Sequence, residues 1–255
     1  MINPELHKKP MALDRVAHRD LKIRREQSAL DATSHLNAFF ITAAEFSDAC
    51  KEYPILFLRA GKDNEGRELC APVTVFGLQK GENLVYRHGR WNARYVPALI
   101  RAYPFAMAPT PDQQYVVCFD ETSPVFSTTE GQPLFKEDGE PTPYLEDVRG
   151  FVEKIEVEVD RTRLAGRKLM ELKLLQDKRF DATLPDGGKV VVDGFMAIDE
   201  ERLKNLADAE VLELQRTGLL ALIHFHMTSM GNMSQLLEIH AEKRAAEAAK
   251  APPAS

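Results

Sequence analysis

Between Glu82 and Asp112 the chain carries no acidic residue, while Arg87, Arg90, Arg94 and Arg101 are basic and His88 adds a titratable ring. In a chain of formal net charge −6 this is segregation of charge. Guanidinium groups are planar forks that hold a carboxylate or a phosphate through two parallel hydrogen bonds. A helical turn extending backward from Pro97 would bring Arg94 and Arg101 near one side. Two readings follow. In the first, Arg87, Arg90, Trp91, Arg94, Tyr95, Arg101 and Tyr103 form an arginine and aromatic surface that holds an acidic partner segment or a small anion. In the second, Trp91, Tyr95, Tyr103 and Phe105 pack, and the arginines stack on the rings and pair with acids elsewhere, the nearest being Asp120, Glu121, Glu137, Asp138 and Glu140.

His224-Phe225-His226 is the other stretch with chemical potential. On a strand the two imidazoles share a face and could chelate one metal; on a helix they point to nearly opposite sides, and the leucine-rich surroundings favour helix. His240 and Glu238 complete neither H-E-x-x-H nor a two-histidine-one-carboxylate pattern. Ser229 and Asn232 are accounted for by helix packing and a break at Gly231-Asn232. No G-x-S-x-G, P-loop or G-x-G-x-x-G is present, and the glycines of "LPDGGKV" sit at a turn. Cys50, Cys70 and Cys118 are far apart without a C-x-x-C pair and read as buried small hydrophobes. No catalytic residue, metal or cofactor is therefore assigned. The competing class is an enzyme that modifies a protein or small molecule with a metal or cofactor, with His224, His226 and Arg94 near its pocket.

These residues need elements to position them. Thr42 and Glu45 form a capping box for a helix from Ala43 to about Glu52, which Pro54 stops. Ile55 to Leu58 is a buried strand, Val73 to Leu78 and Asn83 to Arg87 pair as a hairpin around Gly81, and Tyr115 to Phe119 is a further strand. A loop over 120–142 contains one extended piece, Pro133 to Phe135. Thr142 caps a helix at Pro143, and from Val152 to Asp177 the pattern gives one long helix or two broken near Gly166. Over Lys154 to Asp160 the alternation fits helix and strand equally. Asp186-Gly187-Gly188 turns between the strands Lys189 to Val192 and Phe195 to Ile198. Asp199 and Asp208 are N-caps for Glu200 to Leu206 and Ala209 to Thr217, with Gly218 in a left-handed position. Leu219 to His240 is helical, and an alanine-rich stretch frays into a Pro-Ala-Ser tail.

The resulting class is α+β: mainly antiparallel strands in the N-terminal half, a long helix, and a helical C-terminal part. The expected division is an extension over 1–34, a single domain over 35–240 with a seam at 120–142, and a tail over 241–255. A length of 255 residues with 44% hydrophobic and 28% charged residues supports a sizeable core. The net negative charge excludes nucleic acid as the default partner. No signal peptide and no membrane-spanning run is legible, which points to a soluble, cytoplasmic protein, with surface association only by a signal-independent route. A protein partner is expected, with no membrane insertion; self-association through the helices near 143–177 and 219–240 is a further reading.

The segments "FFITAAEFSDACKEYPILF", "GLQKGENLVY", "GRWNARYVPALIRAYPF", "PLFKEDGEPT" and "GFMAIDEERLKNLADAEVLELQRTGLLALIHFHMTSMGN" resemble, in that order, the SapC family of bacterial proteins. The resemblance covers about residues 35–237, and its most specific part is the Tyr-Val-Pro to Tyr-Pro-Phe block. It implies an association with bacterial surface-layer proteins, from which the family takes its name, and carries over no catalytic residues. A cytoplasmic accessory to a surface-protein or outer-membrane uptake system would reconcile that association with the lack of an export signal.

Overall fold

The computed structural model describes residues 1–24, 27–110, 112 and 115–250; the end of the expected tail, 251–255, lies outside them. The fold is α+β, with antiparallel sheets, a long helix and a helical C-terminal part. Its contacts form two compact units, one of residues 1–34, 86–92 and 96–160, the other of residues 35–85, 93–95 and 161–255.

The second unit is built on a five-stranded sheet in the order Leu175–Thr183, Lys189–Ile198, Ile55–Lys62, Glu68–Val75, Ala38–Phe40. Leu56, Val75, Leu84 and Phe195 pack in one cluster with Met233 and Leu236 of the terminal helix. The expected hairpin across Gly81 is not formed. Val73 pairs with Leu56 on one side and Phe40 on the other, so both edges of that strand are taken before residues 83–87 could add to it. Gly81 does turn the chain, at φ 80°, and folds Glu82 so closely onto Gly77 that a Cβ there would meet the Glu82 carbonyl oxygen at 2.1 Å.

The helices of this unit follow local signals with three corrections. The turn capped at Thr42 runs as a 3-10 turn, Ala43–Glu45, into Phe46–Ala49, and ends short of Glu52. Asp199 caps its helix by accepting the Arg202 N–H at 3.0 Å. Asp208 is instead the first residue of its helix, and the cap is Ala207, whose N–H donates to Glu210 at 2.9 Å. Gly218, at φ 77°, separates Asp208–Thr217 from Leu219–Ser229, and the chain breaks again at Met230 and Gly231 before Asn232–Lys250.

Pro143–Glu171 is one unbroken helix, which resolves residues 154–160 as helical. Thr142 Oγ1 caps it, accepting the Leu145 N–H at 3.4 Å. The helix stops before the expected Asp177 because Lys173 turns out at φ 54° and Leu175 begins the strand that pairs with Ile198. Gly166 is a packing residue, not a breaker: a Cβ there would lie 2.9 Å from the Cys70 carbonyl oxygen.

In the first unit, Tyr115–Asp120 lies between Phe105–Pro109 and Pro10–Ala12. Three short strands, Phe126–Ser127, Lys22–Ile23 and Gln132–Pro133, form a second sheet. Residues 1–34 thus supply strands to both sheets, and Leu6 is 1% exposed. Asp120, 0% exposed, accepts the N–H groups of Lys8 (3.2 Å) and Lys9 (3.0 Å) and the hydroxyls of Tyr103 (3.0 Å) and Thr122 (2.8 Å). Burial opposes ionisation of this carboxyl, but the donors from Lys9, Thr122 and Lys8 outweigh it and hold its pKa below the ordinary value.

Two stability predictions follow from this packing. Deleting residues 1–34 removes two strands and two donors to a buried carboxylate, and should lower stability by more than about 3 kcal/mol in urea denaturation. Within the long helix, Gly150→Ala, where nothing lies within 4 Å of the added Cβ, should raise stability by about 0.5–1 kcal/mol. Gly166→Ala should lower it, reversing the sign expected from helix propensity, and parallel thermal melts read both.

Candidate functional site

The arginine-bearing segment begins as a two-stranded ribbon. Tyr86–Arg87 pairs with Arg90–Trp91 across His88 and Gly89, which both have positive φ, 55° and 72°, as a two-residue hairpin turn needs. Asn92 ties the ribbon by donating to the carbonyls of Arg87 (3.1 Å) and Arg90 (2.9 Å). Arg90 is exposed with Nε on the Asn92 side chain at 3.2 Å, and Trp91 is half-buried. Arg87 is half-buried too, and its enclosed Nε has no hydrogen-bond partner among the described residues.

Pro97 does start a helical turn, Ala98–Ala102, and Tyr103 ends it in an extended conformation ahead of Pro104. The turn does not extend backward, because Pro97 itself has ψ 144°, so helical spacing does not align Arg94 with Arg101. Arg101 donates from Nε to the Val96 carbonyl at 3.0 Å and lies 5.2 Å over the Phe151 ring. Tyr103 is buried, and its hydroxyl is pushed up to about 12 by burial and by Asp120. For Arg101 and Tyr103 the packing reading describes the geometry.

Arg94 and Tyr95 belong to the second unit and differ from the rest. They line a cleft of about 510 Å³ with Asp48, Lys51 and Glu52. Tyr95 is fixed from two directions: its hydroxyl donates to Glu45 at 2.7 Å, and its carbonyl accepts from the Tyr53 hydroxyl. Glu45 also accepts the N–H and the hydroxyl of Thr42, both at 2.8 Å. Arg94 is exposed, and among the described residues it has no hydrogen bond or ion pair. Of the acids expected as arginine partners, Asp120 is engaged by its donors and Glu121 by Lys9 at 2.5 Å.

The family model of SapC matches residues 13–236. The chain belongs to the SapC family. The match begins ahead of residue 35, where the resemblance starts, and leaves out the first strand, Pro10–Ala12. No curated protein and no solved structure matches the chain.

The histidines of this SapC chain do not converge. His224 is exposed, while His226 is 1% exposed with both ring nitrogens in use. Its Nε2 accepts the Ile198 N–H at 3.1 Å, so its Nδ1 carries the proton that it donates to the Ile55 carbonyl at 2.7 Å. Ser229 accepts the Ile55 N–H at 2.9 Å, and Asn232 donates to the Cys50 carbonyl at 2.9 Å. Burial pushes the His226 ring down to about 4, only partly countered by the Ile55 carbonyl. The thiols are buried as expected, and burial raises Cys70 to about 11. Among the described residues no group of three or more His, Cys, Asp or Glu could hold a metal ion, and no helix is long and apolar enough to cross a membrane.

Sequence reasoning missed a further buried acid. Glu82, 7% exposed, accepts from His240 Nδ1 and Lys243 Nζ at 3.0 Å and from the Leu78 N–H at 3.2 Å. The spacing of His240 and Lys243 is a helical pair for one acceptor, but nothing local points to a residue so far away in sequence.

The His226 arrangement sets a pH dependence. The unfolded ring takes up a proton near 6.5 and the folded one near 4, so stability falls as pH drops through that window, by about 3 kcal/mol in all. Denaturant titrations from pH 7 to 4 should show this slope, and His226→Gln, which cannot titrate, should lose its share of it while being destabilised at pH 7.

Proposed function

We propose that this SapC-family protein is a non-enzymatic binding or accessory protein, cytoplasmic, serving a bacterial surface-layer or surface-protein and outer-membrane uptake system. Its ligand is an acidic partner segment or a small anion, and its partner is a protein. Within the segment first read as one surface, Arg94 is the residue that carries the reading, because its guanidinium stands exposed and unpartnered at a cleft whose Tyr95 wall is anchored by Glu45 and Tyr53. An arginine held by its own fold gains little from a ligand; an unpartnered one offers both arms of its fork. Arg90 and Trp91, on the ribbon, are the next candidates, whereas Arg101 and Tyr103 are occupied by Val96, Phe151 and Asp120.

The histidine chemistry of the competing enzymatic reading has no support in this arrangement, since His226 bridges two backbone groups and His224 lies apart from it. The family name supports the cellular setting, and the negative charge of the chain supports a partner other than nucleic acid.

A fluorescent peptide rich in Asp and Glu tests the site directly. Arg94→Ala should weaken its binding at least about tenfold with stability changed by less than about 0.5 kcal/mol. Arg101→Ala should leave binding unchanged and lower stability by about 0.5–1 kcal/mol through the lost contact with Phe151. Full binding by folded Arg94→Ala would place the site elsewhere.

A further inference from the structure

The charges around Arg94 say more about the ligand than that it is acidic. Four charged side chains line the cleft: Asp48, Lys51, Glu52 and Arg94. Lys51 Nζ lies 2.9 Å from Asp48 Oδ1, so these two satisfy each other at the surface. Glu52 raises the pKa of Lys51 only as the weakest of several contributions, behind Asp48. Among the described residues neither Glu52 nor Arg94 has an ion pair within 4.0 Å or a side-chain hydrogen bond, and they do not reach each other. One positive and one negative group are therefore left uncompensated across the same cleft.

A free anion suits only half of this arrangement. Seated on Arg94, a carboxylate or phosphate also meets the field of Glu52, since the Asp48 charge is answered by Lys51, and a dianion meets it twice over. A cation alone on Glu52 meets the field of Arg94. A ligand with both charges gains at both ends, with its carboxylate in the Arg94 fork and its positive group toward Glu52. The cleft size, about 510 Å³, is within the range of small-ligand sites and leaves room for a short backbone between the two charges.

We propose that this cleft recognises a zwitterionic group, a carboxylate on Arg94 and an ammonium or guanidinium on Glu52. It is carried either by a free amino acid or by a polypeptide segment with neighbouring acidic and basic side chains. The inference rests on Arg94 being the binding residue of the proposed function, and narrows what that residue takes.

Nuclear magnetic resonance titration of the full chain separates the two claims. The probes are propanoate, propylamine, a series of ω-amino acids from glycine to 6-aminohexanoate, and an acetylated, amidated peptide with adjacent Glu and Lys. At least one zwitterionic probe should bind about tenfold more tightly than propanoate, with shifts at Arg94 and Glu52. Glu52→Gln should remove that advantage without weakening propanoate, and Arg94→Ala should remove both. Tighter binding of the peptide than of any amino acid assigns the group to a polypeptide, and the reverse order to a free metabolite. Propanoate binding as tightly as every zwitterion, in wild type and Glu52→Gln alike, overturns the zwitterion inference and leaves the anion reading standing. No Arg94-dependent shift with any probe overturns both.

Discussion

The backbone of Ile55 is where the second unit is held together. Its residue partner on the neighbouring strand, Thr74, is a pair whose backbone bonds run through other residues: the Val75 N–H donates to Pro54 at 3.0 Å, leaving both polar groups of Ile55 facing away. On that other side the Lys189–Ile198 strand is in register with Ile55–Lys62 only at Met196 and Phe57. The ladder is short, and side chains complete it. Ser229 takes the N–H, His226 takes the C=O, and the same imidazole takes the N–H of Ile198. An unpaired backbone group in such a place costs about 1–3 kcal/mol, so one helix turn offsets several such costs. It also fixes where the helix sits, because residues 226 and 229 must meet one strand end, and Asn232 then reaches Cys50 beyond the break.

Buried carboxylates repeat the device with charge. Glu45, Glu82 and Asp120 are nearly inaccessible, and each joins stretches distant in sequence: Thr42 with Tyr95, Leu78 with His240 and Lys243, Lys8 and Lys9 with Tyr103. A buried carboxylate without donors would be intolerable. With several donors it becomes a directional tie, since moving any segment strands the charge. These acids therefore act as internal fasteners, and among the described residues Arg94 is left without an acidic partner.

What was legible in the sequence was local. The Thr42 and Glu45 pair, the Pro143 helix start, the Asp199 cap and the Gly218 stop each depend on neighbours in the chain, and each is present. The hairpin expected around Gly81 does not form, because turn chemistry shows where a chain reverses, not which strand is free to receive it. Val73 was already enclosed by residues 40 and 56. The long helix ends short of the expected Asp177 for a related reason: alternating charged and aliphatic residues suit either period, and the stop comes from Lys173 in a left-handed conformation. The segregated arginines are visible in the sequence, but that Arg101 is held over Phe151 while Arg94 is not held at all depends on contacts that no spacing rule supplies.

The same contrast bears on how an acidic chain could hold the carboxylate ligand proposed for it. At a net charge of −6 its long-range field repels anions rather than gathering them. At physiological salt that field is screened over about 8–10 Å, so recognition must be settled at contact distance. In the proposed site the fork of Arg94 would decide there, and most strongly for a ligand that also answers the charge of Glu52. A ligand whose own charges cancel would meet no net repulsion on approach and would find both complements only inside the cleft, which places the selectivity of the proposed site in its paired geometry and not in attraction from afar.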